Sequence, residues 1–211
     1  MDFAVRTKTP LQAEKILTAA ARLFATQRFH EARMEDIAAA AAVGKGTLYR
    51  YFRDKDQLYH ALLVRAAEQL TARLHEEVGR AVGARARLEA IVAAIIRYFD
   101  EQPHLFDLIQ HSEVMQGPGD DFPWQEARAE TIRLVQQVFA EGRDTGTFRV
   151  EDPDLAVYLL LGGVRAVIRF TPRPRADDLP QRIVDHFLRG VARDDLGVGW
   201  QDRRTAQALG A

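Results

Sequence analysis

Apolar residues recur every three or four positions through most of this 211-residue chain. That spacing places apolar side chains on one face of an α-helix, whereas no segment keeps the period of two that marks a β-strand. Divided at its proline, glycine and polar clusters, the chain predicts about nine helices. The fold class that we expect is therefore all-α, with a module of three short helices followed by a longer helical body.

Two of the short helices lie in the stretch Met34–Phe52. The first is predicted at Met34–Ala41 and the second at about Lys45–Phe52. A tight break at residues 42–44 separates them. Two short helices joined by a three-residue turn that contains glycine are typical of a helix-turn-helix.

The second of these helices has one apolar and one polar face. At 100° per residue, Leu48, Tyr51 and Phe52 share one side, which can dock on the preceding helices. The other side carries guanidinium, phenol and hydroxyl groups on a cylinder narrow enough to enter the major groove of DNA. The alternative is a small helical hairpin whose charged face only meets solvent.

The segment GKGT at residues 44–47 also suggests a phosphate-binding loop. That motif needs a glycine five residues before its Gly-Lys pair and a serine or threonine directly after the lysine. Here Ala39 holds the upstream position and Gly46 follows Lys45. The spacing therefore excludes a nucleotide-binding loop.

From about Glu14 to Leu62 the chain resembles the DNA-binding domain of the tetracycline-repressor (TetR) family of bacterial regulators. Four segments match in order and at the right spacing: ILTAAARLFA, MEDIAAAAAV, GKGTLYRYF and DKDQLYHALL. The sequence departs from the family pattern at Arg28 and Ala42, where glycine is common, and at Gly44, where serine often caps the recognition helix. Gly44 can still occupy an N-cap, and it leaves backbone N–H groups free for a phosphate.

The body is predicted to begin with a long helix. Asp54 and Gln57 form a capping box ahead of a helix from Lys55 to about Val78. About 24 residues at 1.5 Å each make a rod of roughly 36 Å, long enough to join the module to a separate body. Further helices are predicted at about residues 85–101, 104–115, 124–144, 153–171 and 180–193.

The resemblance, which weakens after about residue 65, implies that the last two helices form a four-helix homodimer interface. Gly162 and Gly163 agree with close helix approach there, because glycine otherwise weakens a helix. The resemblance also implies an internal pocket for a small-molecule effector. Ordinary core packing is the simpler explanation for each apolar candidate, and Arg165 is as well suited to pairing across the subunit interface. The candidate lining residues are Phe99, Phe106, Ile109, His111, Trp124, Phe139, Tyr158 and Arg165.

Motifs for catalysis or metal binding are weak. The sequence has neither a nucleophile elbow nor an HExxH pair. His104, Asp107 and His111 nearly share a helical face, as zinc ligands can. A fourth ligand is not evident, so polar groups of a surface or pocket are the preferred interpretation. We expect no metal, no cofactor and no enzymatic activity. An enzyme acting on a small apolar substrate in the helical body is the alternative.

Charge and cysteine content indicate the partner and the cellular location. The net charge is −1, but residues 1–60 hold ten basic and seven acidic side chains, and the remainder holds nineteen and twenty-three. The positive part coincides with the helix-turn-helix, which weakly supports a DNA partner. Cysteine is absent, so a reducing cytoplasm is the natural location. Neither a signal peptide nor a membrane span is expected.

We therefore expect a homodimeric, ligand-responsive transcriptional regulator, most simply a repressor, that binds a pseudo-palindromic operator in double-stranded DNA. Residues 1–53 would form the DNA-binding domain, residues 54–193 the ligand-binding and dimerisation domain, and residues 194–211 a disordered tail. Tyr49 and Lys55 would mainly hold phosphates, and Arg50 would read a guanine edge. The expected DNA contacts are Lys45, Gly46, Thr47, Tyr49, Arg50 and Lys55.

Overall fold

The computed structural model describes residues 11–27, 29, 31–115 and 125–189. Within these ranges the chain forms nine α-helices and no strand, which confirms the predicted all-α class. The predicted tail at residues 194–211 lies outside the described residues. The helices are α1 (Leu11–Thr26), α2 (Met34–Ala40), α3 (Lys45–Tyr51), α4 (Lys55–Arg80), α5 (Ala84–Glu101), α6 (Pro103–Met115), α7 (Gln125–Asp144), α8 (Pro153–Phe170) and α9 (Leu179–Arg189).

Helix α4 begins at the predicted capping box. The Asp54 carboxylate accepts a hydrogen bond from the Gln57 backbone N–H at 2.8 Å. The Gln57 carboxamide oxygen accepts from the Arg53 N–H at 2.7 Å, one residue before the N-cap. Two otherwise unpaired donors are thus satisfied where the chain leaves α3. The helix runs for 26 residues to Arg80, which corresponds to about 39 Å.

Helix α4 packs both on the N-terminal module and on the body. Near its N-terminus, Leu58 and Leu62 are fully buried and the helix packs on α1. Towards its C-terminus, Leu74 is fully buried where α4 packs on α5 and α7. The Arg65 guanidinium also reaches α1 and pairs with the Glu14 carboxylate at 2.7 Å. The buried side chains of the two parts therefore form one continuous cluster.

Helix α5 is the central element of the body, because α4, α6, α7, α8 and α9 all pack on it. Its buried side chains accordingly lie on more than one face, among them Leu88, Ile91 and Ile95. The Arg175 guanidinium holds the segment between α8 and α9 against this helix through the Asp100 carboxylate, and it also donates to the Ile168 carbonyl of α8. None of the helices in the described ranges combines the length and apolarity needed to cross a bilayer.

One face of α8 is apolar and exposed. Leu155, Leu159 and Phe170 expose 53%, 61% and 82% of their surface. Gly162 and Gly163 lie on the same stripe, and a Cβ built on either would meet no described atom within 4 Å. The close approach expected at this glycine pair is therefore not made within one chain. Either the stripe stays in water or a second molecule covers it.

Gly142, near the end of α7, is the glycine that a close approach requires. A Cβ at this position would lie 2.0 Å from the ring of Phe148, which is buried on Phe139. The Phe148 N–H donates to the Gly142 carbonyl at 2.9 Å, so the chain folds back across the helix end. Any larger side chain at position 142 must displace a packed ring.

We predict that Gly142→Ala lowers the free energy of unfolding, since overpacking costs about 1–3 kcal/mol and outweighs the gain of about 1 kcal/mol in helix propensity. The matched control is Gly79→Ala in α4, where the added Cβ meets nothing within 4 Å, and this change should stabilise. Urea unfolding of both variants measures the two signs. Stabilisation of the position-142 variant would contradict the packing described.

Candidate nucleic-acid interface and ligand cavity

The turn between α2 and α3 is a Schellman motif that ends α2. The Val43 N–H donates to the Ala38 carbonyl and the Ala42 N–H to the Ala39 carbonyl, both at 3.0 Å. Ala42 occupies the left-handed position with φ of 52°. Glycine usually fills this position, and alanine costs about 1–2 kcal/mol there. The surrounding packing holds the turn despite this cost.

Helix α3 is fastened by its apolar face and presents its other face to solvent. Leu48 is fully buried and Phe52 nearly so, as the sequence pattern predicted. Gly44 is the N-cap, in an extended conformation without a side-chain cap. Of the predicted DNA contacts on this helix, Thr47 is half-buried. The exposed ones are Lys45, Gly46, Tyr49 and Arg50.

The charged groups of the exposed face are partly paired with one another. The Lys45 ammonium lies 2.6 Å from the Glu35 carboxylate in the first turn of α2 and 5.9 Å from the Tyr49 ring centroid. The hydrogen bond between these two groups lowers the pKa of Glu35 and raises the pKa of Lys45. The Arg50 guanidinium stacks 5.4 Å from the Tyr51 ring. Both helices of the motif thus contribute charge to one surface.

Lys55 lies in a different environment from the one expected for a phosphate contact. Its ammonium donates to the Phe29 carbonyl at 2.6 Å and to the Ala32 carbonyl at 3.1 Å. It also lies 4.4 Å from the Phe29 ring centroid. Lys55 therefore stabilises the segment between α1 and α2 through these two carbonyls. This geometry does not favour the phosphate contact that the sequence suggested.

A cavity of about 270 Å³ lies in the body between helices α4, α5, α6, α7 and α8. Five of the predicted pocket residues line it, namely Phe99, Phe106, Ile109, Tyr158 and Arg165. The side chains of the predicted His111 and the whole of Trp124 lie outside the described residues.

Phe139 was also predicted to line the pocket, but the structure places it elsewhere. It is fully buried and packs between the rings of Phe148 and Phe187, at centroid distances of 6.0 and 5.9 Å. Its contacts are those of a core residue beneath α9. The prediction was wrong because helical spacing identifies an inward face without identifying the neighbours of that face.

Several lining residues were not predicted from the sequence. Tyr98 and Thr71 face the cavity, and Ala66 and Ala67 bring a section of small side chains on α4 to its wall. Such a pair of alanines inside a long apolar stripe was the available signal, because small residues leave space opposite larger ones. On α7 and α8 the further lining residues are Ala127, Arg128, Thr131, Ile132, Leu161, Gly162, Val164 and Ile168.

The polar groups of the cavity are mostly engaged with backbone. Thr71 and Thr131 donate to helix carbonyls of Ala67 and Ala127 at 3.0 and 3.1 Å. The Tyr98 hydroxyl donates to the Ala66 carbonyl at 2.9 Å, and burial raises the pKa of Tyr98 to about 12. The charged groups at the wall are two arginines, at positions 128 and 165. The site suits an apolar molecule with a negative group.

The histidine and carboxylate considered as metal ligands have other surroundings. Burial lowers the pKa of His104, and Asp107 pairs with the Arg169 guanidinium at 3.0 Å. Across the described part of the chain, no three side chains of metal-binding type converge on one point.

Comparison with known proteins places the chain in a family. A model of the tetR family of bacterial regulatory proteins matches residues 16–62. A model of the tetracyclin repressor-like C-terminal domain matches residues 81–191, more than half of the chain. The chain belongs to the tetR family of bacterial regulatory proteins. The identification made from the N-terminal motifs is thereby confirmed, and it extends to the body, where the sequence resemblance had faded.

Curated relatives of this tetR-family chain are transcriptional regulators. It is 30% identical over 104 residues to the activator FasR of Mycolicibacterium smegmatis, a match that covers 49% of this chain and 48% of that protein. It is 27% identical over 158 residues to the repressor KstR2 of Rhodococcus jostii, a match that covers 74% of this chain and 78% of that protein. With FasR, the first of these, the chain is thus matched over only about half of the relative's length.

Solved structures share the whole fold. The fatty acid degradation regulator FadR from Bacillus halodurans superimposes with a TM-score of 0.76 at 21% identity, covering 88% of this chain and 99% of that one. FadR from Bacillus subtilis, solved in complex with stearoyl-CoA, superimposes with a TM-score of 0.73 at 18% identity. The match covers 85% of this chain and 99% of that one. At these identities the likeness concerns the fold alone.

We predict that Lys55→Met destabilises the protein by about 1–3 kcal/mol, because two inward-facing carbonyls lose their donor. Lys15→Met, at an exposed position of α1, is the control and should change the free energy of unfolding by less than about 0.5 kcal/mol. Urea denaturation followed by circular dichroism provides both values. Equal, small effects would return Lys55 to the list of phosphate contacts.

Proposed function

We propose that the protein is a cytoplasmic, homodimeric transcriptional repressor that a small, largely apolar ligand releases from its operator. Residues 1–53 act as the DNA-binding domain and residues 54–193 as the ligand-binding and dimerisation domain. One observation carries the proposal. Helix α3, which has an exposed polar face, is followed directly by α4, and α4 also forms a wall of the apolar cavity. DNA contact and cavity occupancy therefore depend on one element.

The DNA-binding face consists of Lys45, Gly46, Thr47, Tyr49 and Arg50. Leu48 fixes the orientation of α3 from behind, so the opposite side chains are presented to a groove. Tyr49 and Lys45 suit phosphate contact, and the Arg50 guanidinium suits the paired acceptors of a guanine edge. Lys55 acts in this proposal as a support for the motif, since its ammonium already holds two carbonyls.

Dimerisation uses the exposed apolar stripe of α8 together with α9. Leu159 and Phe170 expose large apolar surfaces, and the open glycine pair lets a second backbone approach closely. A two-fold axis through this stripe would relate two copies of α3, which would read half-sites roughly 34–36 Å apart in successive major grooves. The operator is then a pseudo-palindrome.

The effector is an elongated apolar molecule with an anionic group. Aromatic and aliphatic side chains form most of the cavity wall, and Arg165 and Arg128 supply positive charge. The stearoyl-CoA bound to FadR of Bacillus subtilis is a molecule of this general chemistry. Among described lining residues there is no carboxylate or imidazole, and the hydroxyls of Thr71 and Tyr98 are bonded to carbonyls. A regulatory role is therefore favoured over an enzymatic one.

We predict that Arg50→Ala weakens binding to the specific operator by about 1–3 kcal/mol and relaxes the base preference at one position in each half-site. Arg143→Ala removes one positive charge from an exposed position of α7 and serves as the control. The operator is first mapped by footprinting of the upstream region, and fluorescence anisotropy then gives the affinities. Unchanged operator affinity in the Arg50 variant would show that the recognition face is misassigned.

We predict that Leu159→Asp converts the dimer to a monomer, because a carboxylate buried in an apolar interface is strongly unfavourable. The control, Val82→Asp, places the same charge at a residue that is 90% exposed between α4 and α5. Sedimentation velocity distinguishes the two variants. A Leu159 variant that remains dimeric would require another interface.

We predict that decanoate binds the cavity and weakens operator binding by roughly 5- to 150-fold, the usual range of allosteric coupling. 1-Decanol has the same chain without the charge, so Arg165→Ala should reduce the affinity for decanoate and leave that for decanol nearly unchanged. Calorimetry and competition against the preformed DNA complex provide these values, with stearoyl-CoA as a longer probe. Ligands that saturate the cavity without releasing DNA would refute ligand control.

A further inference from the structure

A buried hydrogen bond joins the cavity wall to the DNA-binding module. The Tyr59 hydroxyl, in the second turn of α4, donates to the Leu108 carbonyl of α6 at 2.9 Å. Both residues are buried, with 8% and 9% of their surfaces exposed. A carbonyl inside a helix already accepts from its own helix, so this bond uses its second lone pair.

On the α6 side, the bond lies next to the cavity. Phe106, Ile109 and Gln110 line the cavity from the same turn of α6 that contains Leu108. α4 contributes Ala66, Ala67, Leu70 and Thr71 to the opposite wall. A molecule that fills the space between these walls contacts both α6 and α4. Any shift of that turn moves the Leu108 carbonyl.

On the other side, Tyr59 is part of an aromatic cluster in the DNA-binding module. Its ring lies 4.9 Å from the Phe29 ring and 5.9 Å from the Phe24 ring, both edge-on. Phe29 in turn carries the Lys55 ammonium on its carbonyl and over its ring. The cluster thus connects α1, the α1–α2 segment and the first turns of α4, directly behind the helix-turn-helix.

We propose that Tyr59 is the positioning residue through which cavity occupancy reaches the DNA-binding module. This inference rests on the proposed ligand control and names its route: α6 moves, the Tyr59 hydroxyl follows the Leu108 carbonyl, and the aromatic ring repositions α1 and α2. The hydroxyl follows because a buried donor left without an acceptor is costly. The ring transmits the shift because tyrosine has few side-chain torsions and its neighbours are closely packed.

The test is a double-mutant cycle that needs no identified ligand. Ala127→Trp places an indole in the cavity from α7, and Tyr59→Phe removes only the hydroxyl. The filled cavity should weaken operator binding by roughly 5- to 150-fold in the otherwise unchanged protein. In the Tyr59→Phe background the same change should have an effect smaller by at least about threefold, within the range of interaction between coupled sites. Leu161→Trp is the second filler, should the first fail to fold.

Val138→Ala is the control for lost stability. Val138 is buried in α7, with 2% of its surface exposed, and it does not line the cavity. This variant should also lose stability in thermal unfolding, but Tyr59→Phe alone should reduce the coupling. Decanoate, titrated against both variants with and without DNA, provides an independent measure of the same coupling.

The outcomes separate the two proposals. If neither fillers nor decanoate weaken DNA binding in the otherwise unchanged protein, ligand control fails and the role of Tyr59 fails with it. If they weaken DNA binding and Tyr59→Phe retains the full effect, the route through Tyr59 is overturned while ligand control stands. Equal loss of coupling in the Val138 variant would assign the effect to general loosening of the body and would also overturn this inference.

Discussion

Helix α4 has to satisfy two packing environments with one rigid backbone. Leu58 and Leu62 near its N-terminus and Leu74 towards its C-terminus are fully buried, and the helix packs on α1, α5 and α7. Since a helix transmits a rotation or shift along its length, the packing in its two halves is coupled. The positions of the DNA-binding module and of the cavity both depend on this constraint. The DNA-binding module takes its position from the first turns of α4, and the cavity has the middle of the same helix as a wall.

The polar face of α3 is positioned by packing behind it. A helix of seven residues is too short to be stable alone, so Leu48, Phe52 and the Schellman turn hold it. Ala42 occupies a left-handed conformation within that turn, and Lys55 braces the α1–α2 segment through two carbonyls. Small changes in this support alter the angle at which α3 meets a groove. Recognition is therefore sensitive to motions that no DNA-contacting residue makes itself.

The sequence predicted what depends on local periodicity and capping, and not what depends on which helices meet. The helix-turn-helix and the cap at Asp54 follow from short patterns, and the structure confirms both. Phe139 and Tyr98 are both fully buried aromatic residues, yet Phe139 packs against Phe148 and Phe187 whereas Tyr98 lines the cavity. The role of Lys55 was hidden for the same reason, because its acceptors lie 26 and 23 residues earlier.

The energy needed to couple the cavity to DNA is small compared with what apolar contact can supply. The cavity wall is mostly apolar, and each CH₂ group of a ligand buried against such a wall contributes about 0.8 kcal/mol. Coupling of 1–3 kcal/mol needs only a few such groups. The decisive property is then direction: a ligand that shifts α6, one wall of the cavity, acts on Tyr59, because the Leu108 carbonyl of α6 accepts a hydrogen bond from the Tyr59 hydroxyl. Incomplete packing in the body is thus what makes the module behind α3 adjustable.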